Sequence, residues 1–304
     1  MISQISRWKM KIFDMHIHSR NKGTDPEQLL AEMEKAGVYG GCVFSNAADR
    51  EHPASGTDFE SRMKEITDWT RGYEDRLFPV IRIHPYEDGI MEKIHMANEA
   101  GVAAYKIICS DFYVYEDGCM RVLSEIASLG KPVIFHTGIL WNGKCSSNYN
   151  RPLNWEALLD IDGIRFSMGH CSWPWHDECI ALYGKFFNAK SSGKHVDMFF
   201  DITPGTPEIY REDLLTKLLT VGYYVPDAIM FGTDCSAMPY NTAWAKRWLA
   251  IDEAIYDKLG VGPNLKRKIY GENLMRFLGK IKSEPTQLKL SCDDQEPWTI
   301  AKEG

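Results

Sequence analysis

Residues 12–18 read Ile12-Phe-Asp-Met-His-Ile-His18, a short and mostly apolar segment that ends in two histidines. A run of this kind predicts a buried β-strand over 13–18. It is the first of eight such segments, and amphipathic stretches separate them as far as about residue 279. Regular alternation of strands and helices predicts a parallel sheet.

The eight predicted strands have the spacing of a closed barrel. They cover 13–18, 39–45, 78–84, 103–108, 132–137, 164–170, 198–203 and 229–234. Eight strand–helix units in about 270 residues match a (β/α)8 TIM barrel, so we predict a single α/β domain over 1–280. Residues 281–304 form a C-terminal tail, either a strap or disordered. A doubly wound sheet is the alternative, although no glycine-rich phosphate motif follows the first strand.

The composition indicates a globular protein that acts on a small molecule. The 304 residues are 44% hydrophobic and 25% charged, with a formal net charge of −7. Neither charge sign forms long runs, which argues against nucleic acid and membrane partners. No signal-peptide pattern and no run of about 18 apolar residues occurs, so we expect a cytoplasmic protein. The eight cysteines are scattered and we expect them to be reduced. A homo-oligomer remains open.

Histidines and one aspartate fall at the carboxyl ends of four predicted strands, where a barrel assembles its site. They are His16 and His18 on the first strand, His136 on the fifth, His170 on the sixth and Asp234 on the eighth. His16 and His18 are two residues apart, so their side chains share a face of the strand. Each histidine alone could be a packing residue. Together the residue types predict a site for one divalent ion, most simply Zn²⁺, with Mn²⁺ or a second ion left open.

The chain resembles the amidohydrolase superfamily of metal-dependent TIM barrels, in its amidohydrolase-related (amidohydrolase 2) branch. The likeness rests on IFDMHIHS, VAAYKIICS, PVIFHTG, MGHCSWPWHDECIALYGKF, MFFDITPG, MFGTDCS and IYGENLMRFLG, in this order. The resemblance implies that His16, His18, His136 and Asp234 are metal ligands. It further implies that Asp234 handles the proton of the attacking water, and that His170 contacts substrate or a second metal.

Lys106 lies among apolar residues near the end of the fourth predicted strand, a poor place for a surface lysine. Three roles remain open: an unmodified lysine that lines the site, a carboxylated lysine that bridges two metals, as in some superfamily members, or a salt-bridged structural residue.

Four further residues are candidates for substrate binding. Arg82 and His84 share a face at the third strand end, where an arginine could hold a carboxylate or pair with an aspartate. Trp173 and His176 follow the sixth strand and could line a pocket, although packing is the simpler role for aromatic residues there.

We therefore predict a metal-dependent hydrolase that uses metal-activated water to cleave an amide, ester or lactone of a small molecule, which could carry a carboxylate. Asp234 would be the general base and then acid, while His170 and Lys106 would stabilise the oxyanion. The alternative is a metal-dependent non-oxidative decarboxylase or hydratase of an unsaturated or aromatic acid. A catalytically inactive metal-binding barrel is a third hypothesis.

Overall fold

A parallel sheet closed into a ring organises the protein. The structure is a computed structural model that describes residues 10–20, 23–48, 58–205 and 207–281. Its strands are β1 (Phe13–His18), β2 (Gly40–Phe44), β3 (Leu77–Arg82), β4 (Ala104–Ile107), β5 (Val133–Phe135), β6 (Arg165–Met168), β7 (Asp197–Asp201), β8 (Ile229–Met230) and β9 (Cys235–Ser236). All neighbouring strands are parallel, in the order β8-β7-β6-β5-β4-β3-β2-β1-β9. The amide of Met15 donates to the carbonyl of Phe231 at 3.0 Å, which joins β1 to the β8 segment. The predicted (β/α)8 barrel is confirmed.

Helices connect most of the strands. They are α1 (Pro26–Ala36), α2 (Phe59–Thr70), α3 (Ile90–Glu99), α4 (Asp117–Ser128), α5 (His176–Ala189), α6 (Arg211–Thr220), α7 (Thr242–Leu259), α8 (Pro263–Arg267) and α9 (Asn273–Phe277). The first begins as its sequence predicts. The Asp25 carboxylate accepts from the Gln28 amide at 2.9 Å, Pro26 opens the helix, and Gly37 ends it with φ 83°.

Two connections differ from the predicted pattern of eight strand–helix units. Between β5 and β6 the chain forms 3₁₀ turns, Ser147–Asn150 and Pro152–Asp160, instead of an α-helix. The buried residues Pro152, Trp155 and Leu158 recur every three positions, the period of a 3₁₀ helix. The predicted strand 229–234 is also shorter, because pairing stops at Met230 and resumes in β9.

Apolar side chains fill the barrel interior below the carboxyl ends of the strands. This interior cluster contains Phe13, Met15, Cys42, Phe44, Phe78, Val80, Ala104, Ile134, Phe199, Met230, Leu274 and Phe277. A larger buried cluster lies between the sheet and the helices. The barrel interior is therefore packed. Of the 281–304 tail, all but Ile281 lies outside the described residues.

Candidate metal centre

A cavity of about 220 Å³ opens at the carboxyl ends of the strands. Seven of the ten residues that the sequence predicts for the site line it: His16, His18, Lys106, His136, His170, Trp173 and Asp234. The barrel thus brings residues from five separate segments to one place.

A bulge in β1 sets the positions of the first two histidines. Asp14 pairs with Gly41 and Ile17 with Val43, so β1 carries one extra residue between these two points. Met15 packs in the barrel interior and the His16 ring still lies 4.6 Å from the Phe44 ring, which belongs to the same interior cluster. The bulge therefore turns consecutive side chains inward and lifts His16 onto the cavity wall beside His18.

Three predicted ligands converge closely. Their ligand atoms, one each from His16, His18 and Asp234, all lie within 4.8 Å of one another. His18 Nε2 is 3.0 Å from Asp234 Oδ1, and His16 Nε2 is 3.8 Å from the same oxygen. Two imidazoles and one carboxylate at this spacing fit a divalent transition ion with positions left for water or substrate.

Asp234 adopts a backbone conformation that is uncommon for residues other than glycine. Its φ is 61°, in the left-handed region that favours glycine. Burial alone would raise the pKa of the carboxyl, but the hydrogen bond with His18 and the neighbouring imidazoles outweigh it and lower the pKa. The group is therefore ionised at neutral pH and can act as a ligand or as a proton acceptor.

Asp201, at the end of β7, fixes the tautomer of His16. Its Oδ2 lies 2.8 Å from His16 Nδ1, and its Oδ1 accepts from the Thr203 amide at 2.8 Å. Because the carboxylate can only accept, Nδ1 carries the proton and Nε2 offers its lone pair toward Asp234. The sequence analysis did not single out Asp201 and so missed this contact. Carboxylates that orient ligand histidines in this way are typical of metal sites.

Three histidines of the cavity, His16, His18 and His136, have lowered pKa values. Burial, followed by the charge of Lys106, holds the pKa of His16 well below its usual value. Burial also lowers the pKa of His18 and, together with the nearby His170, that of His136. Neutral imidazole is the form that binds metal, and the lowered pKa values favour this form at neutral pH.

His170 lies in a strained turn after β6. His170, Cys171 and Ser172 have φ values of 55°, 47° and 62°, all left-handed. His170 Nδ1 is 3.2 Å from the carbonyl oxygen of Thr203, so Nδ1 donates to that oxygen. This contact leaves Nε2 as the ring nitrogen available to substrate, and the predicted oxyanion role of His170 stays a prediction.

A glycine keeps the His170 ring in place. A Cβ at Gly205 would lie 2.6 Å from His170 Cγ, which is far too close for any side chain. Sequence reasoning read Gly205 only as part of a motif and gave it no role in the site.

His136 faces the same cavity but does not join the group of three. Its Nε2 lies 3.1 Å from the carbonyl oxygen of Ile139, and its ring centroid lies 5.0 Å from that of His170. A proton on Nε2 is required for the first contact. The metal-ligand role of His136 stays a prediction, and it needs that nitrogen to leave the Ile139 carbonyl.

Lys106 is buried on the wall of the cavity, as its apolar neighbours predict. Only 1% of the residue is exposed, and its Nζ lies 5.2 Å from the centre of the Phe44 ring. Its positive charge lowers the pKa of His16, His18 and His136. The position agrees with a lysine that lines the site.

The four predicted substrate-binding residues have different outcomes. Trp173 lines the cavity, and Arg82 is near enough for its charge to lower the pKa of His18. His84 is not among the described lining residues. It is buried, with Nε2 3.0 Å from Asp111 and Nδ1 accepting from the Tyr86 amide, so both nitrogens are used structurally.

His176 also lies away from the cavity wall as described. It opens α5, only 6% of it is exposed, and burial lowers its pKa to about 4. The helix directs it toward the charges of α6 instead of the cavity, which is why sequence proximity to Trp173 was misleading.

Arg20 is a lining residue that sequence reasoning did not single out. It borders the cavity of about 220 Å³ and an adjoining one of about 720 Å³, and these two share Arg20 and Asp234. Its position two residues after His18, beyond the strand end, was the available signal.

Comparison with known proteins assigns the family. The amidohydrolase family profile matches residues 13–280. No curated protein sequence matches the chain. Within the described ranges, none of the helices has the length and apolar character needed to span a membrane.

Solved structures share the fold at low sequence identity. A probable 2-pyrone-4,6-dicarboxylic acid hydrolase from Acinetobacter baumannii is 11% identical, with 89% of this chain and 100% of that chain covered and a TM-score of 0.60. A 2,6-dihydroxybenzoate decarboxylase from Rhizobium is 11% identical, with 89% and 99% covered and a TM-score of 0.60. A dihydroxybenzoic acid decarboxylase from Polaromonas, with bound manganese, is 11% identical, with 88% and 97% covered and a TM-score of 0.58. The profile match and the barrel together establish that the chain belongs to the amidohydrolase family.

Proposed function

We propose that the chain is a metal-dependent hydrolase of a small carboxylated amide, ester or lactone, with Zn²⁺ as its metal. One observation carries the proposal: the ionised Asp234 carboxylate lies on the cavity wall, 3.0 Å from His18 and 3.8 Å from His16. A carboxylate in this position can complete a metal site and can also accept a proton from an adjacent water. Family membership supports the same reaction class.

Different side chains of the site have different roles in hydrolysis. A divalent ion held by His16, His18 and Asp234 would supply Lewis-acid chemistry, which lowers the pKa of water and polarises a carbonyl oxygen. Asp234 takes the proton from the attacking water and then delivers it to the leaving group, because its lowered pKa leaves it unprotonated at the start. Lys106 stabilises the negative charge that develops on the substrate oxygen.

The remaining lining residues orient the substrate. His170 contacts the substrate through Nε2, because its Nδ1 donates to the carbonyl oxygen of Thr203. Arg20 borders both cavities and can hold a carboxylate in a two-pronged contact. The inner cavity of about 220 Å³ is small, so the substrate extends past Arg20 into the larger one.

A decarboxylase of an aromatic acid is the second candidate, and the aromatic residues at the cavity mouth favour it. The Trp141 and Trp173 rings are nearly parallel, at 15°, with centroids 6.1 Å apart. Both rings line the cavity, and flat apolar faces of this kind suit a planar substrate. The known structures of similar fold include decarboxylases as well as a probable hydrolase.

Two measurements test the proposal. The first is metal content per chain by elemental mass spectrometry on protein purified without chelator; we expect about one zinc, while about two metals would favour a bridging role for Lys106. The second is a screen of carboxylated lactones, amides and aromatic acids in H₂¹⁸O. Hydrolysis places ¹⁸O in the organic product, whereas decarboxylation releases CO₂ and leaves the organic product without ¹⁸O.

A matched pair of variants provides the control. Asp234→Asn keeps the shape of the side chain but removes the proton acceptor, while Asp197→Asn neutralises an exposed carboxylate on β7 that pairs with Lys190. Turnover that falls only in Asp234→Asn supports the proposal. A protein that takes up no metal, or a fully active Asp234→Asn variant, contradicts it.

A further inference from the structure

A buried carboxylate beneath the candidate metal centre accepts four hydrogen bonds. Asp14 Oδ1 accepts from the amides of His16 at 3.0 Å and Thr233 at 2.9 Å. Its Oδ2 accepts from the hydroxyls of Thr233 at 2.5 Å and Tyr240 at 2.9 Å. Asp14 has no exposed surface. No role in the site was assigned to it by sequence reasoning.

These contacts lie where the regular backbone pairing of the barrel is interrupted. β1 has its bulge directly after Asp14, and β8 stops at Met230 before the chain pairs with β1 again through β9. Ladder hydrogen bonds are therefore missing on both sides of this gap. The Asp14 carboxylate accepts from two backbone amides at this interruption of the sheet, one on β1 and one on the segment after β8.

The two amides belong to the segments that carry the candidate ligands. One is the amide of His16 itself, and the other is that of Thr233, which directly precedes Asp234. The Thr233 hydroxyl also accepts from the Cys235 amide at 3.2 Å, so the turn around the left-handed Asp234 is held from both ends. The Trp244 indole N–H also donates to the carbonyl oxygen of Thr233 at 2.9 Å. The turn depends on such contacts because a residue other than glycine does not favour its φ.

We propose that Asp14 is a positioning residue for the metal centre: it holds the His16 backbone and the Thr233–Cys235 turn in register, and so sets the distance between the His16 and Asp234 ligand atoms. The inference rests on the proposed function, since it concerns binding of a metal. It assigns Asp14 no contact with metal or substrate.

Two substitutions separate position from charge. In Asp14→Asn the side-chain oxygen can still accept from both amides, and the NH₂ group can donate to the two hydroxyls, which rotate to accept. Asp14→Ala removes every contact. If Asp14 acts by holding the backbone, Asn rescues the site and Ala does not.

The first readout is titration of the metal-free full chain with Co²⁺, which reports both affinity and the visible ligand-field spectrum. We expect Asp14→Ala to raise the Kd by about 10–100-fold and to change the spectrum. Asp14→Asn should stay close to the wild-type protein in both. Leu123→Ala, a buried change in α4 far from the site, controls for general destabilisation and should leave the Kd per folded molecule unchanged.

The second readout needs no metal. Hydrogen exchange of the His16 and Thr233 amides should accelerate in Asp14→Ala and remain slow in Asp14→Asn. Wild-type affinity and spectrum in Asp14→Ala, an equal loss in Leu123→Ala, or unchanged amide exchange would each overturn the inference. If the wild-type protein binds no Co²⁺ the proposed function fails, and the exchange measurement still decides whether Asp14 holds the two segments.

Discussion

Replacing Asp201 by Asn should weaken metal binding through the protonation state of His16. The Asp201 carboxylate is fully buried and receives two hydrogen bonds of 2.8 Å, one from His16 Nδ1 and one from the Thr203 amide. Asn has only one side-chain oxygen, so it can accept only one of these two hydrogen bonds. The shape of the site is kept while the acceptor is lost.

Both orientations of the new amide are unfavourable. If its oxygen accepts from Thr203, the NH₂ group faces His16 Nδ1, and the ring must move its proton to Nε2, the nitrogen that points toward Asp234. If the amide flips, NH₂ meets the Thr203 N–H and a buried donor is left unsatisfied, which costs about 1–3 kcal/mol. We therefore expect a loss of about 10–100-fold in metal affinity, or about 1.4–2.8 kcal/mol.

Competition between the protein and a chromophoric chelator for Zn²⁺ at neutral pH measures this loss, and ¹⁵N NMR of the imidazole ring reports the His16 tautomer. Asp197→Asn is the matched control, because it makes the same change on the same strand at an exposed position. Wild-type affinity in Asp201→Asn would refute the reasoning.

Three other perturbations give distinct outcomes. Asp234→Asn should lower turnover by at least about 10²-fold with little change in melting temperature, because it removes a proton acceptor and a ligand. A loss of stability of the same size as the loss of activity would contradict this prediction. Gly205→Ala should displace the His170 ring, because a Cβ would lie 2.6 Å from its Cγ, and we expect kcat/KM to fall while metal content stays at the wild-type level. Burial lowers the pKa of His176 to about 4, below the value of 6.5 in the unfolded chain. The neutral side chain therefore stabilises the folded state fully above about pH 6.5, and this stabilisation is lost as the pH falls toward 4. Between these pH values the free energy of unfolding changes by about 1.4 kcal/mol per pH unit. Urea unfolding between pH 7 and 4.5 should therefore show less acid destabilisation in His176→Phe than in the wild type. An equal pH dependence in both proteins would exclude this role.

Much of the fold could be predicted because its signals are local. The period of the apolar residues marks β1 and α1, and the Asp25-Pro26 start and the Gly37 end of α1 appear in the structure as predicted. The 3₁₀ segment after β5 was not recognised, since a spacing of three differs little from helical spacing over nine residues.

The candidate site could be predicted only in its residue types. Histidines and an aspartate at strand ends pointed to His16, His18 and Asp234, which do converge. Sequence reasoning also chose His84, which pairs with Asp111, and His176, which is buried at the start of α5 and is not among the described lining residues. Which way a side chain points beyond a strand end depends on loops whose conformation has no simple periodic signal.

The sequence by itself determined that strands and helices alternate to form a barrel, and at which end of the barrel the candidate site lies. Both follow from the sequence because neighbouring residues set the periodicity and the direction of each strand. Only the tertiary structure decided the contacts that give the site its properties. Asp201 meets His16 across 185 positions, and Asp14 meets Thr233 across 219. These pairs exist because the sheet closes on itself with a bulge in β1 and a break after β8, and closure depends on the packing of the whole ring rather than on any local pattern.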